Sequence, residues 1–349
     1  MNTPITSALT SGLVPAPMDA PAIRWGIIGT GWISEAFSKC VAQYTASHVA
    51  AVASRDLGKA EQFISEHLGE VAEPITAYGS YEELVNDPTI DVVYVGTPHS
   101  HHREHALLAI NAGKHVLVEK AFSRNVSEAQ DILDAAKARG VFVMEAMWTR
   151  HLPHIAALHE VLNSGAIGEI RTLIADHGQA FEFNPQGRLF NPELAGGALL
   201  DLGVYPVAFA HDILGVPANI VARGQMTTTD VDGQISMIFE YPNNAQALLN
   251  TTLWAATPTT ATITGTKGRI EVDGAFYTPT GFTVRLNSGE TSRYEAEPVR
   301  GLEFEAAEVA RCISNGQVES QHMTWAQTMD VMKSMDLIRE QIGLEYPGE

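Results

Sequence analysis

The sequence predicts an α/β protein: an N-terminal doubly wound parallel sheet, then an α+β domain with a large, mainly antiparallel open sheet. Three observations carry this. From Ile23 to about Arg150, short continuous apolar runs alternate with helical patterns, as strands buried on both faces do with their crossover helices. Beyond Arg150, strand-like segments follow one another with few helices between them. A glycine-rich turn, Gly29-Thr30-Gly31, sits where the first strand gives way to the first helix.

That first strand is Ile23-Arg24-Trp25-Gly26-Ile27-Ile28, and the helix runs through Ala36, Phe37 and Val41. Gly29 permits the tight turn, and Gly31 lets the backbone approach a pyrophosphate. Trp32 and Ile33 open the helix, whose N-terminus offers unpaired N–H groups and a partial positive charge. Ser34 replaces the third glycine of the dinucleotide fingerprint and is small enough for close packing. The second strand is 48–53, followed by a helix through Ala60, Phe63, Ile64 and His67 that ends at Gly69. A short helical stretch over 81–85 precedes the third clear strand, 91–95. A helix through Ala106, Leu107 and Ile110 closes at Gly113. Strand 115–118 follows. Ser127-x-x-Gln130 then reads as a capping box for a helix that stops at Gly140, and 141–144 closes the series.

After Arg150 come a helix over 155–162, a strand over 169–176 and a helical region over 198–214. Six strand-like segments cover 220–228, 234–241, 246–253, 260–265, 269–273 and 283–287, with Lys267-Gly268 as a hairpin turn. Two helices, 304–313 and 324–342, end the chain. The domain boundaries that result are a flexible tail over 1–20, a dinucleotide-binding domain over 21–147 and a substrate and oligomerisation domain over 148–349. Helices within 303–343 are able to pack back on the first domain. An open sheet with one uncovered face calls for a partner, so a homodimer or homotetramer through the C-terminal sheet is expected.

With 22 Lys and Arg against 41 Asp and Glu, the formal net charge of −19 argues against nucleic acid or an anionic membrane as the main partner. No apolar run reads as long enough to span a membrane, and residues 1–20 have no signal-peptide pattern. Cys40 and Cys312 are the two cysteines; a disulfide framework is not indicated, and a cytoplasmic location follows.

Ligands of open parallel sheets collect at the carboxyl ends of the strands. Those positions are Gly29, Ser54-Arg55, Gly96-Thr97-Pro98-His99, Glu119-Lys120 and Glu145. Ser54 and Arg55 stand where an acidic residue would hold the ribose of NAD, and a guanidinium suits the 2′-phosphate of NADP(H); NAD(H) stays open. A solvated Arg55 beside Asp56 is the alternative. Lys120 ends an apolar strand, where an ammonium beside a reacting oxygen can move a proton; an ion pair with Glu119 or a snorkelling surface lysine is the competing reading. In the second domain, Asp201 and Tyr205 share a helical face at i and i+4. Pro206 crowds that helix, which predicts a distorted turn near 201–203 with regular helix from about Tyr205. The histidines at 99, 101, 102 and 105 lack a carboxylate or cysteine set to complete a metal site, so no metal is assigned and one histidine orients substrate or nicotinamide.

With these residues assembled, the chain resembles the glucose–fructose oxidoreductase, inositol dehydrogenase and rhizopine-catabolism (Gfo/Idh/MocA) family from Ile23 to the C-terminus. The Gly29 turn, the segment 94–102, Glu119-Lys120 and the segment 196–205 occur in family order. Residues 53–56, 144–150 and 201–205 are most similar to the dimeric trans-dihydrodiol dehydrogenases and NADP-dependent D-xylose 1-dehydrogenases. The resemblance implies a Rossmann domain and an NAD(P)-dependent dehydrogenase or reductase acting on CH–OH groups. Its substrate would be a sugar, cyclic polyol or trans-dihydrodiol. Lys120 and Tyr205 would act at the reacting hydroxyl with Asp201 beside them. His102 would line the nicotinamide pocket, and Trp148 and Arg150 would face cofactor or substrate. Ala121 stands where the family commonly has proline. A cofactor-binding ligand sensor without catalysis is the alternative from another class.

Overall fold

Six strands, β1 (Arg24–Ile28), β2 (His48–Ala53), β3 (Thr76–Tyr78), β4 (Val92–Val95), β5 (His115–Glu119) and β6 (Val143–Ala146), form a parallel sheet in the computed structural model of the chain. Their order is β3-β2-β1-β4-β5-β6. The structure describes residues 9, 14–69, 71, 73–296 and 298–349. Every residue of β4 and all of β1 but Arg24 are buried, as expected of strands covered on both faces. The covering helices are α1 (Trp32–Tyr44), α2 (Leu57–His67), α3 (Tyr81–Asn86), α4 (His102–Asn111) and α5 (Val126–Arg139). Strand order reverses between β1 and β4, and that is where an open sheet of this kind has its crevice. Phe37 of α1 fixes the sheet beside the crevice: its ring stacks on Tyr94 at 4.0 Å and meets Trp25 edge-on at 4.9 Å.

Two details differ from the sequence reading. The three-residue edge strand β3 was not expected, being too short to show a pattern. Helix α5 starts two residues early, because Asn125, not Ser127, is its N-cap and accepts from Glu128 N–H at 2.9 Å. The Glu128 carboxylate in turn takes the Arg124 N–H, so the capping box is present but shifted.

The chain divides into two compact units, one of Pro15–Trp148 with Arg300–Met329 and one that includes Thr149–Val299 with Asp330–Glu349. In the first, helix α8 (Leu302–Ser314) packs on α1. The anticipated tail over 1–20 lies largely outside the described residues. Its end is structured, with a 3-10 turn at Pro17–Asp19 and the Pro15 and Ala16 carbonyls accepting from Arg311.

The second unit holds α6 (Pro153–Asn163), β7 (Ile170–Gly178), a π-helical turn at Leu199–Gly203, α7 (Val204–Leu214), β8 (Asn219–Met226), β9 (Asp232–Glu240), β10 (Gln246–Thr252), β11 (Ala261–Gly265), β12 (Gly268–Val272), β13 (Phe282–Leu286) and β14 (Thr291–Tyr294). The final helix is α9 (Trp325–Ile342). Sheet order is β14-β13-β12-β11-β7-β10-β9-β8, antiparallel except where β7 and β10 pair. β14 escaped the sequence reading. One face of the sheet packs on α7 and the π turn. On the other, Val221, Ile238, Leu248 and Ile174 lie directly opposite one another across β8, β9, β10 and β7, each at least 39% exposed. The sequence reading found no run of membrane-spanning length. Pro192–Leu214 does qualify by length and hydropathy, but 83% of its apolar window is buried within the protein.

Candidate active-site residues in two units

In the first unit the site begins at the β1–α1 corner. Gly29 has φ +101°, and a Cβ there would stand 2.9 Å from the Gly96 carbonyl oxygen, so only glycine fits. Its N–H donates to Ala53 O and that of Gly96 to Ile28 O, drawing the ends of β1, β2 and β4 together. Gly31 is the N-cap of α1 and provides no side-chain cap; nothing lies within 4 Å of where its Cβ would be. The first-turn donors of α1, from Trp32 and Ile33 onward, thus have no side-chain cap, which fits an anionic diphosphate.

At the end of β2, Ser54 is buried and its N–H donates to Tyr78 O, whereas Arg55 is exposed. The neighbouring Asp56 carboxylate is occupied as the cap of α2, accepting from Gly58 N–H at 2.9 Å. The Arg55 charge reaches Tyr81, His101 and His105.

Beyond β4, Thr97 Oγ1 lies 3.0 Å from His105 Nδ1, Pro98 precedes a 3-10 turn at His99–His101, and His99 Nε2 is 3.3 Å from the Lys120 carbonyl. His102 has its ring nitrogens 2.9 Å from Ala121 O and 2.8 Å from Thr97 O, and is 1% exposed. Burial lowers its pKa to about 4, so the ring is neutral and donates to one carbonyl at a time. His102 therefore braces the lysine turn through the Ala121 carbonyl. Among the described residues no group of three or more His, Cys, Asp or Glu could hold a metal.

The turn after β5 is held by inward-facing groups. Glu119 is buried, accepting from Tyr94 Oη at 2.5 Å and from the Lys120 N–H at 3.1 Å. Glu145, on β6, accepts from Phe122 N–H at 3.2 Å and from Thr328 Oγ1 at 3.1 Å. Lys120 itself is half-buried, and the Lys120–Ala121 peptide is cis. Glu119, His102 and Glu145 thus fix the backbone on both sides of the lysine.

The 3-10 turn Trp148–His151 carries the next two expected residues. Trp148 is half-buried. Arg150 makes an ion pair with Asp212 at 2.5 Å, both side chains 8% exposed, and His159 Nε2 is 3.1 Å from the same carboxylate. This pair ties the turn at 148–151 to α7.

In the second unit, the π turn presents Asp201 to Arg188, whose Nη1 donates at 2.7 Å. Tyr205 stacks on Tyr277 with ring centroids 4.2 Å apart, and His177 lies 4.4 Å from Tyr277. His177 Nδ1 is 3.2 Å from Leu202 O, and its Nε2 is 3.0 Å from Gln179 Nε2. Burial pushes the Tyr277 phenol up, with the nearby Asp201 carboxylate adding to it and the hydrogen bond with Gln179 opposing. The sequence reading named Asp201 and Tyr205 but missed Arg188, His177, Gln179 and Tyr277. A histidine closing a β-strand, next to Gly178, was the one available signal.

An uncapped glycine turn at the switch point of a 3-2-1-4-5-6 sheet, beside an anchored lysine, defines a dinucleotide-binding protein, and its second unit carries a carboxylate–phenol cluster fit for acid–base work. The chain belongs to the Gfo/Idh/MocA oxidoreductase family: residues 23–147 match the model of its NAD-binding Rossmann fold, and 155–271 that of a family C-terminal domain. It is 36% identical over 366 residues to D-xylose 1-dehydrogenase (NADP(+)) of Hypocrea jecorina, covering 93% of each chain. It is 38% identical over 338 residues to trans-1,2-dihydrobenzene-1,2-diol dehydrogenase of Xenopus laevis, covering 93% of this chain and all of the other. The fold matches that of aldose-aldose oxidoreductase from Caulobacter crescentus, complexed with glycerol, with TM-score 0.82 at 24% identity over 92% of this chain and 97% of that one.

Proposed function

We propose that the protein is an NADP(H)-dependent dehydrogenase acting on a secondary alcohol or its carbonyl in a sugar, cyclic polyol or trans-dihydrodiol, with NAD(H) a poorer cofactor. A bound nicotinamide supplies the redox chemistry. The chain supplies positioning and protons: Lys120 or Tyr205 moves the proton of the reacting hydroxyl, and Asp201, aligned by Arg188, serves Tyr205. The observation that carries this reading is the triple anchoring of the Lys120 turn by Glu119, His102 and Glu145 beside a corner that fits a diphosphate. An ammonium carried on a backbone held so firmly suits general acid–base work. The two relatives, named for a sugar and a diol, support the substrate class.

Arg55, exposed at the end of β2 where an acidic residue would favour NAD, supports the NADP preference. A charge-assisted contact to a phosphate contributes about 1.5–3 kcal/mol, so Arg55→Ala raises KM for NADP+ by roughly tenfold or more and leaves that for NAD+ in place. The direct test is absorbance in the reduced-nicotinamide band with NADP+ or NAD+ and D-xylose, inositols or trans-1,2-dihydrobenzene-1,2-diol. Signal from a sugar or diol with NADP+ supports the reading; silence with all of them refutes it.

The aliphatic row on the open sheet supports a second copy as its cover, giving a homodimer or homotetramer. The free, buried Cys40 and Cys312 support a reducing, cytoplasmic location.

A further inference from the structure

We propose that Asp232 is a positioning residue for the acid–base pair: its buried carboxylate sets the backbone at Gly197–Leu199 from which Asp201 and Tyr205 project. This rests on the roles given above to Asp201 and Tyr205.

Asp232 is the first residue of β9 and is fully buried. Its Oδ2 accepts from the Leu199 N–H at 2.7 Å, and the N–H groups of Ala198 and of Asp232 itself also favour the carboxylate. Leu199 opens the π turn, so this carboxylate meets donors that a helix start otherwise leaves unpaired. The approach depends on Gly197. Its φ is +114°, and a Cβ there would overlap Asp232 Oδ1. From the other side, Tyr346 Oη donates to the Gly196 carbonyl at 2.7 Å, and the Arg339 guanidinium lies 4.7 Å from the Tyr346 ring. The two glycines are thereby pinned between β9 and the C-terminal segment. Two and six residues beyond Leu199 stand Asp201, bonded to Arg188, and Tyr205, stacked on Tyr277. A rigid helical start transmits any shift at Leu199 to both side chains, and small misplacements of reacting groups cost up to about a hundredfold in rate. The charged and titratable groups around the carboxylate are Arg339, from α9, and Tyr346; Glu349 pairs with Arg339.

The test uses Asp232→Asn, which keeps the shape and one acceptor oxygen but removes the charge and puts an NH2 donor in place of the other oxygen. With NADP+ and D-xylose or trans-1,2-dihydrobenzene-1,2-diol, kcat should fall about tenfold or more while KM for NADP+ stays put. In a Tyr205→Phe background the same change should cost little further, because the residue acts through that phenol. Backbone amide exchange across 197–205 should accelerate, with exchange across 23–34 unaltered. Wild-type exchange at 197–205, or an equal loss of kcat in both backgrounds, overturns the proposal. Should Asp232→Asn not fold, Tyr346→Phe releases only the Gly196 carbonyl and should show the same kcat-only loss at smaller size; wild-type kcat and exchange there overturn it. If the wild-type enzyme turns over none of the probes, the functional reading fails by itself, and amide exchange alone decides for or against the role of Asp232.

Discussion

At the scale of single residues, what the sequence reveals is set by local chemistry. Gly29 is legible because its turn demands a backbone that only glycine adopts freely, and Lys120 because an ammonium at the end of an apolar strand is out of place. Asp232 is invisible: it sits in Thr-Asp-Val-Asp-Gly, which reads as an exposed turn, and only tertiary structure buries it against Gly197. The same holds for Arg188, whose partner Asp201 is thirteen residues away. The partner of Arg150, Asp212 on α7, was likewise not legible. Burial pushes the Asp232 carboxyl up to about 7 from its ordinary 3.8, against the hydrogen bonds from Leu199, its own N–H and Ala198. Between those values the folded state binds more protons than the unfolded one, so stability falls as pH rises from about 4 to 7. Asp232→Asn removes this component, and thermal unfolding of the two proteins across that window measures it. Wild-type and variant curves of equal slope would contradict it.

At the scale of elements, long periodic segments were read correctly, and misses fell where patterns are short. Strands β3 and β14 have three and four residues and lie at sheet edges, too little for alternation to register. The distorted start of α7 was legible because Pro206 has no N–H to donate towards Leu202; the chain accommodates it with a π turn over Leu199–Gly203 and regular helix from Val204. The uncovered sheet face was legible from strand count alone. Its particular row, Val221–Ile238–Leu248–Ile174, depends on register, which a one-residue slip would invert. Introducing charge into that row by Leu248→Lys should shift the protein to monomer in analytical ultracentrifugation, with its thermal stability as an isolated chain little changed. A variant that keeps the wild-type sedimentation coefficient excludes this face as the interface.

At the scale of the whole molecule, division of labour follows from the chain's grammar. A parallel sheet fixes nucleotide-handling groups on one edge, and the open-sheet unit holds a carboxylate–phenol cluster. Family membership was legible because the Gly29 turn, Glu119-Lys120 and the run through Tyr205 keep one order along the sequence. Which sugar or diol fits was not, since the surroundings of Tyr205, such as the stacked Tyr277, are assembled only by folding. The account stands or falls on the amino group at position 120. Steady-state turnover of Lys120→Ala with NADP+ and whichever sugar or diol the wild type oxidises, measured beside NADPH binding by fluorescence, addresses it directly. Turnover down by about a hundredfold or more with an unchanged NADPH Kd is the outcome predicted; a variant that binds NADPH and still turns over at the wild-type rate would contradict the assignment.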